Sequence, residues 1–385
     1  MRRAHVLASV CLSALTLSAF ACSGSKSSGS GFNDIPPAGD SGGGGKGDTG
    51  TTTSGDSSIQ NLPPDDATLG NQNPDSGLPD GSIVMTSTIY ANTDTMLYSM
   101  DPTTQLVTPV GIFAGLPDAA YESVTDCAVD AEGDVYVNTE SAIYKATLPS
   151  SPSATASVPL TLVATINAPA KTYFYALAFA PAGLLGSGET LVGGDSNGEL
   201  WSINPMTGAT QDIGNFGPDS AHPGNIFALS GDIVFYTDST GTPTGLATIR
   251  SCDNTATKST CIKTSDFLAG IDMTALAANY TANTSTTSLL KGIYGGSSSS
   301  AGPGTGYGSL FGLGAWGGEV FAFSRNINAS DAGAAVPPQL LTINTTTGAG
   351  APVAGQSWTF TDGWSGAGVT TKVTINIPKP PPPPQ

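Results

Sequence analysis

A serine flanked by glycines, Gly194-Asp195-Ser196-Asn197-Gly198, has the GxSxG spacing that raises a nucleophilic hydroxyl when a strand precedes it and a helix follows. The residues after it, Glu199 to Asn204 (ELWSIN), alternate as a strand instead, so the phrase reads as a hairpin turn. Acyl transfer would also need a base, and beyond His5 the chain has only His222, in a Ser-Ala-His-Pro-Gly loop phrase. Gly39-Asp40-Ser41-Gly42-Gly43 is a second glycine-flanked serine, but it lies in low-complexity sequence with no fold to position it. Gly312, Gly314 and Gly317 spell GxGxxG, where a dinucleotide site needs a helix to face the pyrophosphate. Alternating Gly318 to Phe323 (GEVFAF) follows, so these glycines are strand and turn positions. The sequence therefore implies no cofactor and names no catalytic set.

Metal chemistry is equally poorly served. One histidine cannot complete a zinc site of ordinary type. The acidic turns Asp130 to Asp134 and Asp195 to Glu199 lack the spaced ligands of an EF-hand loop and read as solvated turns. Cys252 and Cys261 enclose eight polar residues between strand-like IRS and IKT, and a disulfide across that hairpin suits an oxidising compartment. Cys127, in CAVDAEGDVYV, reads as a buried, inert thiol. Trp201, Trp316, Trp358 and Trp364 are candidates for sugar-stacking platforms, with core packing as the competing role.

The elements that must position these residues announce themselves by recurrence. Leu97 to Gly111 reads LYSMDPTTQLVTPVG, Leu200 to Gly214 reads LWSINPMTGATQDIG, and Leu340 to Gly355 reads LLTINTTTGAGAPVAG. Each is a strand, a turn and a second strand. Asp101, Asn204 or Asn344 can accept hydrogen bonds from the turn backbone, Pro102 or Pro205 presets φ, and Gly208 or Gly348 permits positive φ. Gln105 breaks the glycine rule in the first copy.

Weaker copies of the strand start at Ile143 (IYKATLP) and Leu246 (LATIRSC). The interval from Leu246 to Leu340 is about twice the common one, which implies a degenerate unit near Ile293. A second phrase, strand, Gly turn, strand, starts at Cys127, Ala176, Phe227 and Phe311. Four strands every ~45–60 residues predict an all-β fold, a single β-propeller in which each small sheet buries its faces on the next. The expected number of four-stranded blades is six, with seven or five as alternatives. Apolar residues on both faces of the strands, as at Val135, Val137, Leu200, Trp201 and Ile203, agree with sheets that have neighbours on both sides. The first unit lacks an opening strand before Ile89, and the phrase from Gly363 (GWSGAGVTTKVTI) is predicted to supply it, sealing the ring.

Composition bounds the partners. The chain has 385 residues, only 11% of them charged, with 49 Gly and 28 Pro, a turn-rich balance that favours short strands over long helices. Its formal net charge of −17 would repel phosphate backbones and anionic headgroups, so no nucleic-acid partner is expected.

The ends differ from the middle. Arg2 and Arg3, the apolar run Val6 to Phe20 and Ala19-Phe20-Ala21 leading into Cys22 resemble the signal peptide of bacterial lipoproteins. That resemblance implies removal of residues 1–21, lipidation of Cys22 and attachment to a membrane through lipid. Ser23 after the cysteine, with no Asp there, implies by the same resemblance an outer-membrane lipoprotein of the cell envelope, facing the periplasm or the cell surface. Residues 22–82 are dominated by Gly, Ser, Thr, Pro, Asp and Asn, too poor in apolar surface to offset their ordering entropy, and read as a disordered tether. The folded domain is expected over 83–377, followed by a proline-rich tail, 378–385. Within the domain LWSINPMTG also resembles the repeats of quinoprotein propellers, a likeness that concerns the scaffold only.

The reading is thus a monomeric, lipid-anchored propeller acting as a binding or structural module for a protein or glycan ligand. Its alternative is a propeller enzyme that cleaves polysaccharide with paired carboxylates in the central channel.

Overall fold

The computed structural model describes residues 88–375, apart from 118–122, 170–171, 196, 239, 255–260, 262–264, 297–303, 326–336, 357, 359, 361–362 and 373. The signal segment, Cys22, the tether and the proline-rich tail lie outside the described residues. Of the described residues nearly all that are regular are strands, in the order β1 (Ile89–Asn92), β2 (Met96–Asp101), β3 (Leu106–Ala114), β4 (Asp126–Val129), β5 (Val135–Asn138), β6 (Ala142–Ala146), β7 (Ser157–Thr165), β8 (Phe174–Ala180), β9 (Thr190–Asp195), β10 (Glu199–Ile203) and β11 (Thr210–Asn215). There follow β12 (Asn225–Asp238), β13 (Pro243–Asp253), β14 (Phe267–Ile271), α1 (Met273–Ala282), β15 (Leu290–Ile293), β16 (Leu310–Trp316), β17 (Glu319–Ser324), β18 (Gln339–Ile343), β19 (Gly350–Pro352), β20 (Gly366–Gly368) and β21 (Thr374–Ile375).

Pairing sorts them into antiparallel meanders. The series β4 to β7, β8 to β11, β12 to β15 and β16 to β19 each run strand to next strand, and β1 to β3 take β20 as their fourth member. The first strands β4, β8, β12, β16 and β20 pack side by side in sequence, and β20 returns to β4. Four-stranded sheets set radially around a closed ring of innermost strands make a β-propeller. The parallel pairing of β3 with β7 at the outer edge joins the first two meanders further.

The apolar core is correspondingly divided into wedges between sheets. Leu97 and Val110 of the first meander face Cys127, Val135 and Val137 of the second. Ile143 of the second meets Phe174, Leu191 and Trp201 of the third. Val192, Leu200 and Ile213 meet Phe227, Phe235 and Ile249 of the fourth. A last wedge joins the fourth, fifth and first meanders and carries an aromatic cluster in which Trp364 stands edge-on to Tyr98, Phe323, Trp358 and Phe360 at 5.0 to 5.2 Å. Each fully buried Leu, Ile or Phe in such a wedge contributes roughly 1.5–3 kcal/mol, which no sheet could gain alone.

The turn chemistry is as the sequence implies. Asp101 accepts from Thr103 N at 2.8 Å, Asn204 from Met206 N at 2.9 Å, and Asn344 from Thr346 N at 2.9 Å. Gly208 and Gly348 have φ of 69° and 72°, and Gln105 takes the same left-handed conformation at 58°. Gln356 braces that exception, its amide donating to the Gln105 carbonyl.

The seam is also where the sequence puts it. Gly366, Ala367 and Gly368 pair antiparallel with Asn92, Ala91 and Tyr90. The expected count of six units is not recovered, because the described strands form five. LATIRSC, taken as the counterpart of LWSIN, is the second strand of its meander, whereas Leu97, Ile143, Leu200 and Leu340 open or lie in third strands. Ile293 therefore ends the fourth meander and begins no unit of its own. Within the long interval the segment around the cysteines separates β13 from β14, and α1 separates β14 from β15. That helix is capped by Asp272, whose carboxylate accepts from Thr274 N and Ala275 N, and stopped by Asn283 at φ 51°.

Candidate functional site

One cavity of about 440 Å³ opens at the end of the ring where the innermost strands begin. Every meander contributes to it: Asp94 from the β1–β2 turn, Thr125 and Glu140 from the second, Tyr175 and Asp195 from the third, Leu229 to Gly231 from the fourth, and Phe311 and Arg325 from the fifth, with Ser365 leading into the seam strand. The location follows from topology, since strand starts and the turns between second and third strands of each meander face the same end.

The polar groups are held by one another. Arg325 bonds Asp94 Oδ2 at 3.0 Å and the Ser365 hydroxyl at 3.3 Å, and that hydroxyl donates to Asp94 Oδ1. These three residues join the fifth meander, the first meander and the seam. The guanidinium also lies 5.8 Å from the centre of the Phe311 ring. Burial first, and then the negative charge of Glu140, raise the Tyr175 phenol above its usual range. Asp195 Oδ1 accepts from Asn197 N at 2.8 Å and Glu199 N at 3.0 Å, while burial holds its carboxyl above the ordinary carboxylate value. With Arg325 neutralised by Asp94, Glu140 and Asp195 leave the pocket acidic and rich in acceptors.

Beneath the pocket the axis is closed. Asp126, next to Thr125, accepts from its own neighbour Cys127 N at 2.7 Å and from Leu177 N of β8 at 2.5 Å. Asp232, next to Gly231, accepts from Ile233 N and from Leu313 N of β16, both at 2.6 Å. Both carboxyl groups are fully buried, and burial holds each well above the ordinary carboxylate range. Two side chains thus tie β8 and β16 to the strands that carry them, β4 and β12. At the far end the chain beyond β20 crosses beneath the sheets: Thr370 donates to the Asp130 carbonyl at 2.7 Å, Thr371 bonds Glu189, and β21 pairs with the end of β12.

The residues singled out from sequence fall elsewhere or serve structure. Cys252 and Cys261 form the expected disulfide, and Cys127 is free and buried. His222 sits between β11 and β12 with Nδ1 2.6 Å from Asp219 Oδ2. Ser196 lies outside the described residues, but Asp195, Asn197 and Gly198 around it form the hairpin turn expected there, with β10 following. Gly312 and Gly314 lie in β16, and Gly317 turns the chain into β17. The acidic turn at Asp130 is self-satisfied, its Oδ1 accepting from Glu132 N and Asp134 N. None of the four tryptophans lines the pocket; Trp201 and Trp364 are core residues, and the aromatic wall is Tyr175 and Phe311. Among the described residues no group of three or more His, Cys, Asp or Glu side chains is arranged to hold a metal ion.

No family model matches the chain, and no curated protein does. Solved structures with a distant likeness include a protein of unknown function from Bacteroides caccae, at 8% identity and TM-score 0.35, covering 74% of this chain and 98% of that one. The Dos1 propeller aligns at 13% identity and TM-score 0.30 over 71% of this chain and 58% of its own. A thermostable family-43 glycoside hydrolase aligns at 12% identity and TM-score 0.32 over 60% and 72%. Likenesses this remote carry no argument about function.

Proposed function

We propose that the protein is a five-bladed propeller that acts as a binding module, taking a small polyhydroxylated ligand such as a terminal sugar residue of a glycan in the axial pocket. The observation that carries this reading is the convergence of all five meanders on one cavity of about 440 Å³ with acceptor-rich walls and two aromatic rings. Sugar hydroxyls donate to carboxylates such as Glu140 and Asp195, and the C–H face of a pyranose packs on rings such as Tyr175 and Phe311. An anionic ligand would meet two unneutralised carboxylates and no free cation among the residues lining the cavity.

The enzyme alternative is less well supported. Asp126 and Asp232 on the axis are buried and committed to backbone amides, so substrate has no path to them. Of the acids of the pocket itself, Asp94 is paired with Arg325 and Asp195 is held by turn amides.

Glycan-array screening followed by calorimetry tests the binding reading. Tyr175→Ala and Phe311→Ala should each weaken a captured sugar by about 10-fold, the loss of roughly 1–2 kcal/mol of ring contact. Undiminished binding in both variants would move the site away from the axis.

We further propose that Cys22 carries the lipid that tethers this domain to the outer membrane and that the domain works as a monomer. Incorporation of labelled palmitate into the full chain should vanish in Cys22→Ser; label retained in that variant would refute the anchor.

A further inference from the structure

We propose that the axial pocket selects its sugar by charge, taking a hexosamine with a free ammonium group over neutral or acidic sugars, and that Asp94 sets this selectivity by cancelling Arg325. The inference rests on the sugar-binding reading and names the class of sugar. It begins with the charges around the cavity. Among the described residues Arg325 is the one cation of the lining, against the carboxylates of Asp94, Glu140 and Asp195.

Arg325 is already spoken for. Its guanidinium donates to Asp94 Oδ2 at 3.0 Å and to the Ser365 hydroxyl at 3.3 Å, and lies 5.8 Å from the centre of the Phe311 ring. Asp94 Oδ1 accepts from that same hydroxyl, so both carboxylate oxygens keep the arrangement in place. The two side chains are 34% and 21% exposed, sheltered enough that water screens their attraction less than it would a surface pair. A carboxylate on a ligand would have to take Arg325 from Asp94 and leave that acid unpaired.

Two carboxylates remain. None of the ion pairs among the described residues includes Glu140 or Asp195. Glu140 is exposed in the turn between β5 and β6. Asp195 ends β9, where Oδ1 takes two turn amides and Oδ2 meets the Asn197 side-chain amide at a long 3.3 Å. Burial works against ionisation of Asp195, and a cation beside it offsets that penalty. An ammonium group brings hydrogen-bond donors and no acceptor, which suits a wall of carboxylates, and the partly exposed Tyr175 ring offers it a π face. Acetylation of the amine removes the charge and puts an acceptor in its place.

The experiment is calorimetric titration of the full chain with glucosamine, N-acetylglucosamine and glucuronic acid at pH ~6, where an amine carries its proton and carboxylates are ionised. Glucosamine should bind about 10-fold or more tighter than N-acetylglucosamine, the effect of one charge-assisted hydrogen bond. That gap should narrow between about 0.1 M and about 1 M salt, as the screening length falls from ~10 to ~3 Å. Glu140→Gln should remove most of it. Asp94→Asn keeps an oxygen for Arg325 but not the charge, and should lower the ratio of glucosamine to glucuronate affinity about 10-fold or more. If Asp94→Asn fails to fold, Arg325→Gln shifts the balance the other way and should raise the same ratio. Equal affinity for the amine and its acetylated form, a gap that survives Glu140→Gln, or a ratio that Asp94→Asn or Arg325→Gln leaves in place would overturn the proposal while sugar binding stands. If none of the three sugars binds, the sugar-binding reading falls and this proposal with it.

Discussion

A chain that stops at residue 362, lacking Gly363–Gln385, is expected to lose its cooperative melting transition altogether. The deletion removes β20 and so exposes the inner edge of β1 along Tyr90 to Asn92. It also takes Trp364, fully buried among Tyr98, Phe323, Trp358 and Phe360, a loss that on its own costs about 3–5 kcal/mol. Together these rival the whole stability of an ordinary domain, about 5–15 kcal/mol. Scanning calorimetry and near-ultraviolet circular dichroism check it. A truncated protein that melts as the full chain does would show that the ring is not sealed by its last strand.

The second large effect is expected from a single methyl group. In Gly231→Ala the new Cβ would lie 1.8 Å from the Leu310 carbonyl oxygen and 2.7 Å from Phe311 Cα, so backbone, not a pliable side chain, must move. Gly231 packs against the β16 backbone, lining the pocket and preceding Asp232. Separating those strands strains the Leu313 amide on Asp232, and about 3 kcal/mol or more of destabilisation should result, at the upper end for overpacking. Gly188→Ala is the control, because nothing lies within 4 Å of its added Cβ. Urea unfolding of the three proteins reads the difference, and equal midpoints would show that the innermost strands can part freely.

Much of this fold is visible in the chain because its information is local. Asp101, Asn204 and Asn344 each act within their own turn, and Gly208 and Gly348 answer to their own φ, so three copies of one phrase identify three hairpins. The disulfide is legible for the same reason, spanning one short segment. The seam required a longer inference, an unpaired phrase at each end. Spacing alone points to six units because insertions lengthen the fourth meander, and LATIRSC in β13 imitates a third strand. The helix α1 carries Asp272 as cap and Asn283 as stop, but its ten residues lack the one-sided apolar periodicity that marks a helix in sequence.

The pocket was not legible at all, and the reason is geometric. Its lining comes from each unit once or a few times, at positions such as Asp94, Glu140, Tyr175, Gly231 and Arg325 that share no motif. Asp126 and Asp232 stand on first strands of different meanders, which only ring closure gathers round one axis. Tyr175 and Phe311, rather than the conspicuous tryptophans, face the cavity because they stand at strand starts, where chain direction and not residue type decides exposure.

The antiparallel register of β1 and β20 fixes how the domain would bear load. Tyr90 lies beside Gly368, so the start of one strand and the end of the other leave the sheet at the same edge. Tension applied between those two points would unzip the seam one residue pair at a time instead of shearing its three pairs at once. The crossing segment beyond Gly368 intervenes, since Thr370, Thr371 and β21 are fastened to three other meanders. A pull from the carboxyl side must peel those fastenings first, which makes them the mechanical guard of the closure.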